Sequence, residues 1–154
     1  MTDPNRLEVL VRTHENTLYR AALSLLGDPQ EAEDAVQDAF LKYLEKVPVL
    51  DGAGHERAWL LRVTLNLCKS RLRSPWHRRR APLLDTYPAA APEEQTALEA
   101  VLSLPPKERA AVHLYYYEGY QTTEIAAITG EAEGTIRSRL SRARAKLRGL
   151  LEGE

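Results

Sequence analysis

Pro75, Pro82, Pro88 and Pro92 all fall within residues 74–95, SPWHRRRAPLLDTYPAAAPEEQ. No helix runs through such a stretch. Proline lacks a backbone N–H and pushes the residue before it out of α geometry. On either side, apolar residues recur at helical spacing and strand signals are weak. A chain of 154 residues divided this way is predicted to be all-α. It forms two small helical domains, residues 1–75 and 97–154, joined by a flexible tether over 76–96.

The first domain reads as a bundle of three or four helices. Asp3-Pro4 opens a helix whose Leu7, Leu10, Val11, His14, Leu18, Ala21 and Leu25 share a face, and Gly27 ends it. Asp28-Pro29-Gln30-Glu31 restarts the chain with a cap, a first-position proline and a capping-box glutamate. Ala32, Val36, Ala39, Phe40, Tyr43, Leu44 and Val47 form the next buried stripe. Residues 48–55, PVLDGAGH, read as a loop, and a third helix is expected from Glu56 to Arg73. The second domain is expected to hold about four helices, broken at Leu104-Pro105-Pro106, Glu118-Gly119 and Thr129-Gly130.

Net charge is −1, which means little until it is mapped. Residues 1–47 carry −4, residues 55–82 carry +7, residues 83–134 carry −7 and residues 135–148 carry +6. Two basic bands separated by an acidic one suit two contacts with a polyanion. No run of apolar residues is long enough to span a membrane. The first residues, MTDPNRLEVLVRTHEN, lack a basic-then-apolar leader, and Cys68 is the only cysteine. These features predict a cytoplasmic protein without membrane insertion.

Glu124 to Ile128 reads as a short helix, Thr129 to Glu133 as a turn, and Gly134 to about Leu151 as a long helix: a helix-turn-helix. On the long helix Ile136, Leu140, Ala143, Leu147 and Leu151 share one face. Arg137, Ser138, Ser141, Arg142 and Arg144 occupy the remainder. Arginine reads guanine bidentately or holds phosphate, and serine or Thr135 takes phosphate oxygens.

The second domain resembles a known family. Leu104-Pro105-Pro106, Glu108-Arg109, Tyr117-Glu118-Gly119-Tyr120, Glu124-Ile125-Ala126 and the run from Gly134 to Arg144 are similar to region 4 of the extracytoplasmic-function (ECF, group 4) sigma factors of the sigma-70 family. That resemblance implies −35 promoter contacts at Arg137, Ser138, Arg139, Ser141 and Arg142, with Thr135 beside them. The chain departs from the family at Glu131 and Glu133, where apolar residues are usual. Glu133 is either a mild charge against DNA or an acceptor from a cytosine amino group. Gln121 replaces a serine cap, so Thr122 is expected to cap instead.

On the second helix Asp34, Gln37, Asp38 and Glu45 make an acidic face with Leu41 in its middle. Leu25-Leu26-Gly27-Asp28 and Ala32 to Phe40 resemble region 2 of the same family. The resemblance implies docking of Asp34, Gln37, Asp38 and Leu41 on the clamp helices of the largest subunit of bacterial core RNA polymerase. Arg57 to Val63 and Asn66 resemble the promoter-melting segment at the −10 element. Melting needs a pocket for an unstacked base and cations for the strand. The loop at 48–55 is expected to form that pocket beside Asn66, with Arg62, Lys69, Arg71 and Arg73 on phosphates. Trp59 is read as core in preference to a stacking platform. Trp76 and His77-Arg78-Arg79-Arg80 read as a solvated linker or a strand-tracking patch.

No catalytic or metal-ligand constellation appears, and no cofactor is expected. The four histidines lack ligand spacing, and Cys68 reads as core in preference to a redox sensor. The tyrosines at 115–117 and 120 divide between core and base stacking. The resemblance implies a sigma factor, not an enzyme, with core polymerase and promoter DNA as partners. It adds an anti-sigma factor to the candidate partners. Two alternatives stand: a helix-turn-helix regulator acting without polymerase docking, and a protein–protein module. The first predicts tight duplex binding by the protein alone, and the second predicts no salt-dependent DNA binding.

Overall fold

The computed structural model describes residues 4–46, 48–74 and 100–152. The tether at 76–96, Trp76 to Arg80, and Val47 lie outside the described residues. Contacts divide the chain into two compact units, Met1–Arg79 and Arg80–Glu154. No strand occurs among the described residues.

The first unit is built from α1 (Pro4–Leu26), α2 (Pro29–Lys46) and α3 (Gly52–Leu72), each packed on the other two. The break between α1 and α2 follows from local chemistry. Gly27 takes φ 75°, a conformation that favours glycine, and its N–H donates to the Leu23 carbonyl at 2.9 Å. The Glu31 N–H then donates to Asp28 Oδ1 at 2.9 Å, so Asp28 is the cap the spacing predicts. Leu18, Leu25, Leu60, Leu61 and Leu65 are fully buried at the centre. Each stabilises the unit by roughly 1.5–3 kcal/mol. Tyr43 and Trp59 meet edge to face at 5.7 Å, which places Trp59 against the core.

The third helix begins at Gly52, four residues before the expected Glu56. Gly52, Ala53 and Gly54 carry weak helix signals, yet the Asp51 N–H donates to His55 Nδ1 at 3.0 Å across this first turn. The expected loop at 48–55 is therefore only its first half.

The second unit contains a short helical turn at residues 100–102, then α4 (Pro106–Val112) running into a π-helical turn (His113–Tyr117). After them come α5 (Thr122–Thr129) and α6 (Glu133–Glu152). Both α4 and α5 pack on α6. Ile125, Leu114, Ile136, Leu140 and Ala143 form the buried seam, while Leu147 is only half-buried. Gly130, at φ 77°, closes α5, with its N–H on the Ala126 carbonyl at 2.9 Å. The chain breaks fall at the three places the sequence marks. The cap of α5 differs from expectation. Gln121 is the N-cap residue and its N–H donates to Glu124 Oε1 at 2.8 Å. Thr122 does not cap, because its hydroxyl is taken by Glu133.

Candidate nucleic-acid and polymerase interfaces

On α2, Gln37 and Asp38 lie three and four residues after Asp34, and Leu41 lies four and three after them, which puts all four on one side. Gln37 is exposed, and Leu41 is 56% exposed while Val36 across the helix is buried. Asp34 accepts from Gln30 Nε2 at 3.1 Å. Asp38 is paired with Arg71 Nη2 of α3 at 3.2 Å. Two residues expected at different tasks are thus joined.

Arg62 and Asn66 on α3 and Arg73, the residue just past its end, are exposed at steps of four and seven residues, which keeps them on one side. Lys69 is half-buried in the same stripe. Arg71 turns the other way, to Asp38. Asn66 stands fourteen residues beyond Gly52 on α3, about 21 Å along the axis at 1.5 Å per residue.

On α6 the packing sorts the cations. Arg137 and Arg142 are 66% and 57% exposed, and Ser138 and Ser141 are exposed. Thr135 is half-buried. Arg139 is mostly buried instead, with Nη2 at 2.5 Å from Glu131 Oε2. The expected contact Arg139 therefore ties the helix to the turn before it. Lys146 reaches both oxygens of the buried Glu108 on α4, at 3.0 and 3.1 Å. Arg144 donates to the Tyr116 hydroxyl at 2.5 Å and lies over the Tyr115 and Tyr116 rings. The phenol hydrogen bond raises the Arg144 pKa further.

Sequence reading missed these pairings, and also His14 with Glu56. The fully buried imidazole Nε2 lies 2.7 Å from Glu56 Oε1, joining α1 to α3. Only the position of His14 in an apolar stripe hinted at it. Cys68 is fully buried. Burial pushes its thiol up to about 12; Arg71 opposes this and Glu31 adds to it.

With this geometry in hand, similarity to known proteins is informative. The family model Sigma-70 region 2 matches residues 10–79, and Sigma-70, region 4 matches residues 94–147. ECF RNA polymerase sigma factor SigM of Mycobacterium tuberculosis is 37% identical, covering 97% of this chain and 79% of the relative. The chain belongs to the ECF sigma factors. SigL of the same species, at 35% identity, covers 95% of this sigma factor and 89% of its own length. Solved structures agree. The sigma factor RpoE of Bartonella quintana, in complex with the anti-sigma factor NepR, superposes with TM-score 0.75 at 28% identity, over 97% of this chain and 96% of that one. CnrH in complex with the cytosolic domain of CnrY gives TM-score 0.71 at 27% identity, over 99% and 91%. The chain is an RNA polymerase sigma factor, and the match over residues 10–79 disfavours a regulator that works through α5 and α6 alone. Among the described residues no helix is long and apolar enough to cross a membrane.

Proposed function

We propose that this sigma factor divides promoter recognition between its two units. Residues 1–75 dock on core polymerase and open the −10 element. Residues 97–154 read the −35 element, and the tether at 76–96 spans the distance between. The polymerase contact is the α2 face of Asp34, Gln37, Asp38 and Leu41. Its apolar centre ringed by polar groups has the anatomy of a protein contact. The −10 strand runs along Arg62, Asn66, Lys69 and Arg73, with Arg71 holding the two faces together through Asp38. On α6, Arg137, Ser138, Ser141, Arg142 and Thr135 meet DNA. Arg139 supports them from within the fold.

The observation that carries this reading is the exposure pattern of α6. Packing buries Ile136, Leu140 and Ala143 and leaves Arg137, Ser138, Ser141 and Arg142 outward in the first turns. Those turns are where a recognition helix meets base edges. The protein works in the cytoplasm as a factor and not an enzyme; bond formation belongs to the polymerase. The RpoE–NepR complex supports an anti-sigma partner for this chain as well. The test mixes the purified chain with sigma-free bacterial core polymerase and maps transcription starts on genomic DNA. Starts sharing paired upstream and −10 motifs are expected. Tight binding of the chain alone to palindromic duplex, without new starts, would overturn the proposal.

A further inference from the structure

Three side chains from two helices form a chain at the start of α6. The Thr122 hydroxyl donates to Glu133 Oε2 at 2.8 Å. The other carboxylate oxygen, Oε1, lies 3.9 Å from an Arg137 guanidinium nitrogen. Glu133 thus spends its two oxygens on the first residue of α5 and on an arginine one turn further along α6. Thr122 is half-buried, so the carboxylate is pinned by a group that is itself held.

A surface pair of this kind adds little stability. Its consequence lies in orientation. An exposed arginine must give up much rotamer freedom to set its fork on the O6 and N7 of guanine. A fixed carboxylate one turn before it removes part of that freedom in advance. The same negative charge disfavours a nearby phosphate, which steers Arg137 away from the backbone and towards a base edge. Arg139, already bound by Glu131, cannot substitute for it.

We propose that Thr122 and Glu133 act as a positioning relay that commits Arg137 to a guanine in the upstream promoter element. Arg137 is the specificity-determining group, and Glu133 acts through it without accepting from a base itself. The proposal rests on the reading of α6 as the promoter-reading helix.

The experiment uses holoenzyme reconstituted from the full chain and sigma-free core polymerase. A promoter library randomised across the upstream element is transcribed and the products are sequenced. Wild type is expected to prefer guanine at one position, and Arg137→Ala to abolish that preference. Glu133→Ala and Thr122→Val are expected to weaken it at the same position by roughly three- to tenfold, part of the discrimination a bidentate pair supplies. In the Arg137→Ala background, Glu133→Ala should change nothing further there. Thr122→Val leaves the sequence of α6 intact, so it keeps the test open if Glu133→Ala unfolds the unit. An undiminished guanine preference in folded Glu133→Ala or Thr122→Val protein overturns the relay. So does an Arg137→Ala protein that loses affinity equally for all sequences, with its salt slope reduced by about 1, as for a phosphate contact. Both of those outcomes leave the sigma reading standing. Wild-type holoenzyme that starts nowhere overturns the parent reading and the relay together.

Discussion

His14 and Glu56 show how much one pair contributes to the first unit. The imidazole has no exposure, and its Nε2 meets Glu56 at 2.7 Å. Glu56→Ala leaves that nitrogen buried and unpartnered, which costs about 1–3 kcal/mol. The midpoint of chemical denaturation should fall accordingly, and an unchanged midpoint would mean water replaces the carboxylate. Cys68 makes a different prediction. Its thiol is pushed up to about 12 by burial, from an ordinary value of 9.0. In the folded protein the thiol keeps its proton where the unfolded chain has lost it, so the native state binds more protons between those values. Its contribution to stability is complete below pH ~9 and is lost as pH rises towards 12. Cys68→Ala should therefore show a shallower alkaline loss of stability than wild type. Wild type should resist thiol reagents at pH 8 until it unfolds.

At the scale of elements, the helix-turn-helix is held by charge as well as by its apolar seam. Glu131 in the turn and Arg139 on α6 are both mostly buried and 2.5 Å apart. Arg139→Ala is expected to lower the stability of the second unit by about 1.5–3 kcal/mol, the range for a hydrogen bond to a charged group. It should leave the salt dependence of DNA binding unchanged. A slope reduced by about 1 would instead make Arg139 a phosphate contact. The break between α1 and α2 was legible because Gly27 and Asp28 act on their own neighbours. The start of α3 was not, since glycine and alanine at 52–54 carry no helix-specific signal; a contact from His55 back to Asp51 supplies what the pattern lacks.

For the whole molecule, the basic band at 135–148 carries six cations, and six phosphate contacts would give a log–log salt slope of about −5. The fold holds two of them internally at hydrogen-bond distance, Arg139 with Glu131 and Lys146 with Glu108, while the exposed Arg137 and Arg142 stand 3.9 Å from Glu133 and Glu108. Arg144 is drawn onto Tyr115 and Tyr116. About three contacts remain, and full-length protein titrated onto duplex carrying the upstream element should show a slope near −3. A slope near −5 would mean that these pairs open on DNA. The division into two units and the all-α class were legible from the prolines and the helical period. The exposure of Leu41 on α2 was legible too, because it breaks the polarity of an otherwise acidic surface.

The chain alone determined where most helices start and stop, which faces are apolar, and which bands are charged. Each of those depends on residues within a turn or two of one another. Which charges remain available was decided by packing. Arg71 finds Asp38 across 33 positions, Lys146 finds Glu108 across 38, and His14 finds Glu56 across 42. Such pairs need separations of about 3 Å, set by how helices cross, and no local pattern encodes that distance.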